Sequence, residues 1–217
     1  MFETLLKKVQ NHNAKLIAVS KTKSVEEILR IYNAGQRRFG ENYVQEFVEK
    51  QKLLPLDIEW HFIGHLQTNK VKMIAPYVHT IHSVDSLKLL QEINKSALKA
   101  HRIINVLLQI HIAAEETKFG FSGDEIISIF ETEDLKSLES VRIVGLMGMA
   151  TFTDNKEKVR SEFISLKSIF DTLKSKFFSA ETYFKEISMG MSDDYKIALE
   201  QGATMIRIGS LIFGKRN

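Results

Sequence analysis

Cysteine is absent from this chain of 217 residues. Its absence excludes disulfide bonds, thiolate metal sites and cysteine nucleophiles together, and it fits a reducing cytoplasmic environment. Proline is scarce as well, since only Pro55 and Pro76 occur, which argues against proline-rich linkers and disorder. We therefore expect a compact cytoplasmic protein that forms one domain over residues 1–217.

The chain also lacks a long apolar run and a strong charge of either sign. The longest nearly apolar stretch, 143–152, is about half a membrane span, and the N-terminus lacks the apolar segment of a secretory signal. The formal net charge is +3, and no arm or stripe concentrates the basic residues. These features argue against a membrane protein and against a nucleic-acid partner.

Short segments rich in Ile, Val and Leu alternate with longer segments of helical period. The eight expected strands are 15–21, 38–42, 59–64, 79–84, 104–112, 141–149, 183–190 and 205–214. The expected helices are 25–34, 43–54, 69–77, 86–100, 124–132, 156–176 and 192–202. Ser24 and Ser192 stand where N-caps belong, and Gly35 and Gly202 where helices end.

Strict alternation of strands and helices predicts a parallel sheet, and eight such units fit a single (β/α)8 TIM barrel. Almost nothing follows the eighth strand, so the helical segment 3–12 could take the place of the eighth outer helix. The alternative is an open doubly wound sheet. It is weakened because no glycine-rich phosphate loop follows the first strand.

Lys21 follows the first strand, and the carboxyl ends of barrel strands carry function. Strand alternation puts Ile17, Val19 and Lys21 on one face, so the lysine would point inward at the mouth. A lysine that sheds water there loses its proton more readily and can form a Schiff base with an aldehyde. The alternative is a lysine that extends to solvent at the rim. Lys23 has the same parity but lies further into the loop.

The eighth strand and the loop before it offer groups that suit an anion. Arg207 shares a face with Gly209, and the backbone of Gly209 and Ser210 could bind phosphate after the last strand. Ser188 and Ser192 lie in the same region, and Ser192 opens the next helix. A structural ion pair with a neighbouring carboxylate is the alternative for Arg207. An aldehyde-binding lysine, a guanidinium and a phosphate cradle are together what pyridoxal 5′-phosphate (PLP) requires.

Six stretches of the chain resemble the pyridoxal phosphate homeostasis proteins, the YggS/PROSC family. They are AVSKTK at 18–23, FGENYVQE at 39–46, WHFIGHLQTNK at 60–70, ETKFGF at 116–121, GLMGM at 145–149 and SMGMSDDYKIALEQGATMIRIGSLIFG at 188–214. The stretches occur in order over nearly the whole chain, which makes the resemblance specific. It implies one PLP-binding barrel like the N-terminal domain of alanine racemase.

The resemblance also implies roles for individual residues. Lys21 of the AVSK motif would hold PLP as an internal aldimine, and Ser192, Gly209 and Ser210 would bind its phosphate. Arg207 would face the pyridine nitrogen. The remaining expected cofactor contacts are Asn42, His65, Ser188 and Met191.

An arginine at the pyridine nitrogen leaves that nitrogen unprotonated, because arginine keeps its own proton. The ring is then a poorer electron sink, and the chain has no length for the second domain that supplies a tyrosine base in alanine racemase. We therefore expect a monomeric carrier of PLP in intracellular PLP homeostasis, with little or no turnover of amino acids. Its protein partners would be the apo forms of PLP-dependent enzymes.

Three other functions remain open from the sequence. The first is a catalytic barrel, such as a PLP-dependent amino-acid racemase or a phosphosugar enzyme. The second is a metal site built from His61, His65, His79, His82 and His111, which the lack of a carboxylate at ligand spacing disfavours. The third is a nucleic-acid or protein-binding module on the basic helix 156–176, whose interleaved acidic residues favour a solvated face instead.

Overall fold

The computed structural model describes residues 2–114 and 119–214, so the motif at 116–121 lies partly outside the described residues. Eight parallel strands close into a barrel in sequence order, with β8 paired to β1. The strands are β1 Lys15–Val19, β2 Arg38–Glu41, β3 Glu59–Phe62, β4 Thr80–Val84, β5 Ile104–Ile110, β6 Val141–Gly148, β7 Glu186–Ser188 and β8 Met205–Ile208. This is the predicted (β/α)8 barrel.

Helices alternate with the strands along the described chain. They are α1 Phe2–Gln10, α2 Val25–Asn33, α3 Val44–Leu53, α4 Val71–Ile74, α5 Leu87–Lys99, α6 Gly123–Thr132, α7 Lys156–Phe177, α8 Tyr195–Glu200 and α9 Ser210–Phe213. None of the helices in the described part of the chain is long and apolar enough to cross a membrane.

Two layers of core follow from the alternation of side chains along each strand. Outward-facing residues such as Leu16 and Phe39 pack against the helices in one large cluster. A smaller cluster fills the barrel itself with Ile17, Leu107, Val144, Met147 and Met205. The inward orientation predicted for Ile17 is therefore confirmed.

The N-terminal helix α1 lies against β1 through its buried residues Leu5 and Val9. Lys8 places its Nζ 5.6 Å from the centre of the Tyr195 ring on α8. Helix α1 thus lies beside α8 and takes the outer place that the chain after β8 leaves open. This agrees with the role predicted for the N-terminal helical segment.

Two boundaries differ from the prediction in a way that affects the mouth of the barrel. Strand β8 ends at Ile208, and residues 210–213 form the short helix α9, so the strand predicted over 205–214 stops early. Helix α8 begins at Tyr195 with Asp194 at its N-cap position. Ser192 is therefore not an N-cap, because a turn from 192 to 194 precedes the helix. Ser24 does cap α2, with its side chain accepting from the backbone N–H of Glu27.

Candidate functional site

A cavity of about 280 Å³ opens at the carboxyl end of the strands. Six of the nine residues predicted to contact the cofactor line it: Lys21, Met191, Ser192, Arg207, Gly209 and Ser210. Strand pairing explains why residues so far apart in sequence meet, since Ile17 of β1 pairs with Arg207 of β8. Closure of the barrel thus brings the first strand end next to the last.

Lys21 is held in place through its two neighbours in the chain. Ser20 is fully buried, and its hydroxyl donates to Glu41 Oε1 at 2.6 Å. The backbone N–H of Thr22 donates to Glu46 Oε2 at 2.8 Å. Thr22 also has a positive φ of 63°, which turns the chain sharply just after the lysine. The backbone of Lys21 is therefore fixed on both sides, and Lys21 lies at the cavity wall, half-buried.

Lys50 on α3 joins these contacts into one network. Its Nζ donates to the carbonyl of Ser20 at 2.8 Å, to Glu41 Oε1 at 2.9 Å and to Glu46 Oε2 at 2.7 Å. Burial raises the pKa of Glu41, with Lys50 opposing that shift. Burial also acts to raise the pKa of Glu46, but hydrogen bonds from Lys50 and Thr22 outweigh it and leave that pKa lowered. We call Ser20, Glu41, Glu46 and Lys50 the lysine clamp.

Lys23, the weaker sequence candidate, also lines the cavity. Its Nζ forms an ion pair with Glu27 Oε1 at 3.0 Å and lies 5.9 Å from the centre of the Phe213 ring. Both lysines therefore lie at the cavity wall, and the ammonium of Lys23 is ion-paired with Glu27.

Arg207 is buried and reaches the cavity from the interior of the barrel. Its Nη1 donates to Ser188 Oγ at 2.7 Å, and its Nη2 donates to the carbonyl of Gly148 at 3.1 Å. Burial lowers the pKa of Arg207 to about 10, with Asp194 opposing the shift, so the guanidinium stays charged at neutral pH. Within the described residues no carboxylate forms an ion pair with it. The structural ion pair considered as an alternative for Arg207 is not formed.

A chain of buried polar groups continues inward from Arg207. Ser188 Oγ lies 2.9 Å from His82 Nδ1, and His82 Nε2 lies 2.8 Å from His61 Nδ1. Burial lowers the pKa of both imidazoles well below the ordinary value, so both are neutral at neutral pH. The chain crosses the barrel from the mouth towards the amino end of β3. Ser188, predicted to contact the cofactor, is fully buried beneath Arg207 and does not line the cavity.

The loop from 188 to 194 forms one side of the cavity. Gly190 has a φ of 92°, and a Cβ there would lie 2.5 Å from Ala198 Cβ, so only glycine fits. Its carbonyl accepts from the backbone N–H of Arg207 at 3.0 Å, which fixes the loop to β8. Asp194 Oδ1 accepts from the backbone N–H of Met191 at 2.6 Å and closes the turn that carries Ser192.

Asn42 and His65 do not line this cavity, although both stand just after strand ends on the same side of the barrel. The Oδ1 atom of Asn42 is buried and has no hydrogen-bond partner among the residues that the structure describes. His65 is exposed, contacts Asp85 Oδ2 at 3.1 Å and stacks on Phe119 with 4.3 Å between ring centres. The structure therefore places these two residues at neighbouring strand ends, outside the cavity wall.

Sequence reasoning missed four residues of the cavity wall, Thr22, Phe152, Asp193 and Gly214, and the whole lysine clamp. Phe152 and Asp193 line the cavity, and Phe152 is 86% exposed at its edge. A larger cavity of about 800 Å³ lies at the opposite end of the barrel, near the starts of β5 and β6. It contains none of the predicted site residues, and its lining includes Phe130, Phe177 and Tyr183. Size alone would therefore select the end of the barrel opposite the predicted site residues.

Comparison with known proteins agrees with this architecture. The family described as "Alanine racemase, N-terminal domain" matches residues 2–217. An alanine racemase of Clostridium difficile superimposes with a TM-score of 0.72 at 18% identity, over 99% of this chain and 56% of its own. At that identity the likeness shows the fold alone.

Two relatives are similar enough to carry more weight. The pyridoxal phosphate homeostasis protein of Aquifex aeolicus is 43% identical over 94% of this chain and 87% of its own length. PipY of Synechococcus elongatus, solved without and with PLP bound, is 32% identical over 99% of this chain and all of its own, with TM-scores of 0.88 and 0.85. The chain therefore belongs to the pyridoxal phosphate homeostasis proteins, a family built on the alanine racemase N-terminal domain.

Proposed function

We propose that this protein binds PLP in the cavity at the carboxyl end of the barrel and acts in PLP homeostasis as a carrier. The observation that carries the proposal is the convergence of Lys21, Arg207 and the Gly209–Ser210 backbone on one cavity. PipY, the relative solved with PLP bound, supports the choice of ligand.

The residues present fit the groups of PLP. The cavity of about 280 Å³ is near the lower end of small-molecule sites, which start at about 300 Å³. Lys21 and Arg207 bring positive charge, and Ser192 and Ser210 bring hydroxyl groups that suit a phosphate. When bound, PLP supplies an aldehyde for covalent attachment and a ring that can withdraw electrons.

Each residue of the chain then has a defined task. Lys21 is the covalent anchor, and the lysine clamp fixes its backbone from the side of α3. The turn from 192 to 194 and the start of α9 line the cavity and would hold the phosphate. Arg207 would donate to the ring nitrogen and keep its own proton.

We further propose that this carrier has little turnover with amino acids. Arg207 holds its proton, which weakens the ring as an electron sink. None of the five tyrosines in the chain lines the cavity in the described structure. The described cavity wall therefore offers no tyrosine that could act as the base of a racemase. The recipients of the cofactor would be apo forms of PLP-dependent enzymes, and a monomer is sufficient because the barrel closes by itself.

Absorption spectroscopy of the purified protein with added PLP tests the site. Wild-type protein should show a visible band that borohydride abolishes, and mass spectrometry should then locate the ligand on Lys21. Lys21→Ala should lose the band, whereas Lys23→Ala should keep it. A band that survives in Lys21→Ala and disappears in Lys23→Ala would contradict the assignment.

A kinetic experiment separates a carrier from a racemase. PLP-loaded protein incubated with L-alanine or D-alanine should interconvert them far more slowly than the roughly 10 s⁻¹ of an ordinary enzyme. In parallel, the loaded protein should restore activity to an apo PLP-dependent enzyme. Interconversion at an ordinary racemase rate would contradict the proposed carrier role but not the proposed PLP-binding site.

A further inference from the structure

We infer that the amino end of the barrel, opposite the proposed PLP cavity, holds a divalent transition-metal site formed by Glu59, His61 and His79. One ligand atom from each residue lies within 4.8 Å of the other two. Two imidazoles and one carboxylate are a frequent zinc ligand set in proteins. This inference does not rest on the proposed function.

Strand register explains how the three side chains meet. Glu59 and His61 face the same side of β3, and β3 pairs with β4 so that His61 stands opposite Thr80. His79 immediately precedes β4, and its backbone N–H donates to the carbonyl of Trp60 at 2.8 Å. The rings of His61 and His79 consequently lie 5.6 Å apart.

The strongest observation is a buried imidazole nitrogen of His61 that makes no hydrogen bond among the described residues. His61 is 1% exposed, and its Nε2 has no hydrogen-bond partner in the described structure. A buried polar atom without a partner costs about 1–3 kcal/mol, so such atoms in a native protein usually have a ligand or water. Its other nitrogen, Nδ1, already contacts His82.

Each of the three side chains also makes a supporting hydrogen bond or polar contact, as metal ligands generally do. His61 Nδ1 contacts His82 Nε2 at 2.8 Å, and His79 Nδ1 contacts Thr80 Oγ1 at 2.8 Å. Glu59 Oε2 accepts from Arg38 Nε at 2.9 Å. One atom of each side chain is thus occupied by a supporting contact, which leaves the second atom for an ion.

The electrostatics permit an ion at this position. Three cations stand nearby: Arg38 is paired with Glu59, Lys15 is paired with Glu186, and Arg102 donates to the carbonyl of Ala75. His79 is exposed, which gives an ion a path from solvent.

The dimensions suit zinc after a small adjustment. Zinc–nitrogen distances of about 2.0–2.1 Å place tetrahedral ligand atoms roughly 3.4 Å apart. The observed atoms lie within 4.8 Å of one another, so rotations of the exposed His79 and the half-buried Glu59 can close the site. Water would complete the coordination.

Calorimetric titration of the untagged full-length protein with ZnCl2 tests the inference. We expect one tight site per chain, with His79→Ala and Glu59→Gln each weakening zinc binding more than about tenfold. His12→Ala, at an exposed histidine far along the chain, should leave the affinity unchanged. The absorption spectrum of the Co²⁺-loaded protein should show the bands of a four- or five-coordinate ion and lose them in His79→Ala.

Urea unfolding of the metal-free proteins separates loss of a ligand from general loss of structure. His79→Ala and Glu59→Gln should unfold close to wild type, because His79 is exposed and Glu59 is half-buried. Equal zinc affinity in wild type, His79→Ala and Glu59→Gln would overturn the site. Absence of tight binding to the wild-type protein would overturn it as well.

Discussion

The ammonium of Lys50 donates a 2.8 Å hydrogen bond to the carbonyl of Ser20, the residue immediately before Lys21. Lys50 is only 7% exposed, although it belongs to a helix on the outside of the barrel. A buried ammonium with three acceptors is a costly feature, so its partners must be well placed. This hydrogen bond indicates that α3 fixes the backbone next to Lys21, the proposed covalent anchor.

Replacement of Lys50 by methionine should destabilise the protein and weaken attachment of PLP. The change leaves the buried Glu41 without its cation, and removal of one partner of a buried pair costs about 3–5 kcal/mol. Urea unfolding measures the loss, and borohydride trapping measures the attachment. Lys52→Met, at an exposed position of the same helix, is the control and should change neither. A Lys50→Met protein as stable as the Lys52→Met control would argue against the clamp.

Glu46→Gln should remove a contribution to stability that depends on pH in a defined direction. The pKa of Glu46 is lowered in the folded protein, so the folded state binds fewer protons than the unfolded chain as the pH falls. Its contribution is therefore complete above the unfolded pKa and is lost as the pH falls through the folded pKa. At pH 7 we expect the free energy of unfolding of wild type to be about 1 kcal/mol larger than that of Glu46→Gln. The difference is small because the Glu46 side chain is 28% exposed, and solvent weakens its ion pair with Lys50.

The difference between wild type and Glu46→Gln should narrow from about pH 5 towards pH 3, as carboxylates protonate. Chemical unfolding at a series of pH values measures it. Glu49→Gln, at an exposed position of α3, supplies the control. A difference that stays constant down to pH 3, or widens, would show that the charge of Glu46 is not what the clamp uses.

Gly190→Ala should be far more harmful than Gly35→Ala. The two glycines have nearly equal φ values, 92° and 97°, so the backbone penalty of about 1–2 kcal/mol is shared. A Cβ at Gly190 would lie 2.5 Å from Ala198 Cβ, whereas at Gly35 it would meet nothing within 4 Å. The clash should add about 1–3 kcal/mol and displace the loop that carries Ser192. Thermal unfolding and PLP affinity of the two variants check this; equal losses of stability would contradict the packing argument.

The sequence sufficed to predict the barrel and the main groups of the cavity because both depend on regular features. Alternating apolar segments define strands and helices, and parallel strands end on one side. The sequence alone therefore places Lys21, Arg207 and Gly209 at the mouth of the barrel, where all three line the cavity. The inward direction of Ile17 followed from the same alternation and is confirmed.

Other features of the structure could not be predicted, because they depend on distances that sequence spacing does not encode. Lys50 reaches Ser20 across the gap between a helix and a strand, and nothing in its position marks it as buried. His79 and His61 meet because of strand register, although His79 lies outside β4 and alternation does not apply to it. Ser192 looked like an N-cap, but the chain makes an extra turn before α8. Ser188 was predicted to contact the cofactor, yet it is fully buried and lies one layer below the cavity.

Ser188→Ala should loosen Arg207 without removing it. The fully buried hydroxyl accepts from Arg207 Nη1 and contacts His82 Nδ1, so its loss leaves two buried polar groups with one partner fewer. We expect a destabilisation of about 1–3 kcal/mol and weaker binding of PLP, because the guanidinium is no longer held towards the cavity. The visible band should persist, since Lys21 is untouched. Ser96→Ala removes a buried hydroxyl on α5, outside the site, and provides the control in urea unfolding and PLP titration. PLP affinity equal in Ser188→Ala and Ser96→Ala would show that Arg207 does not need this support.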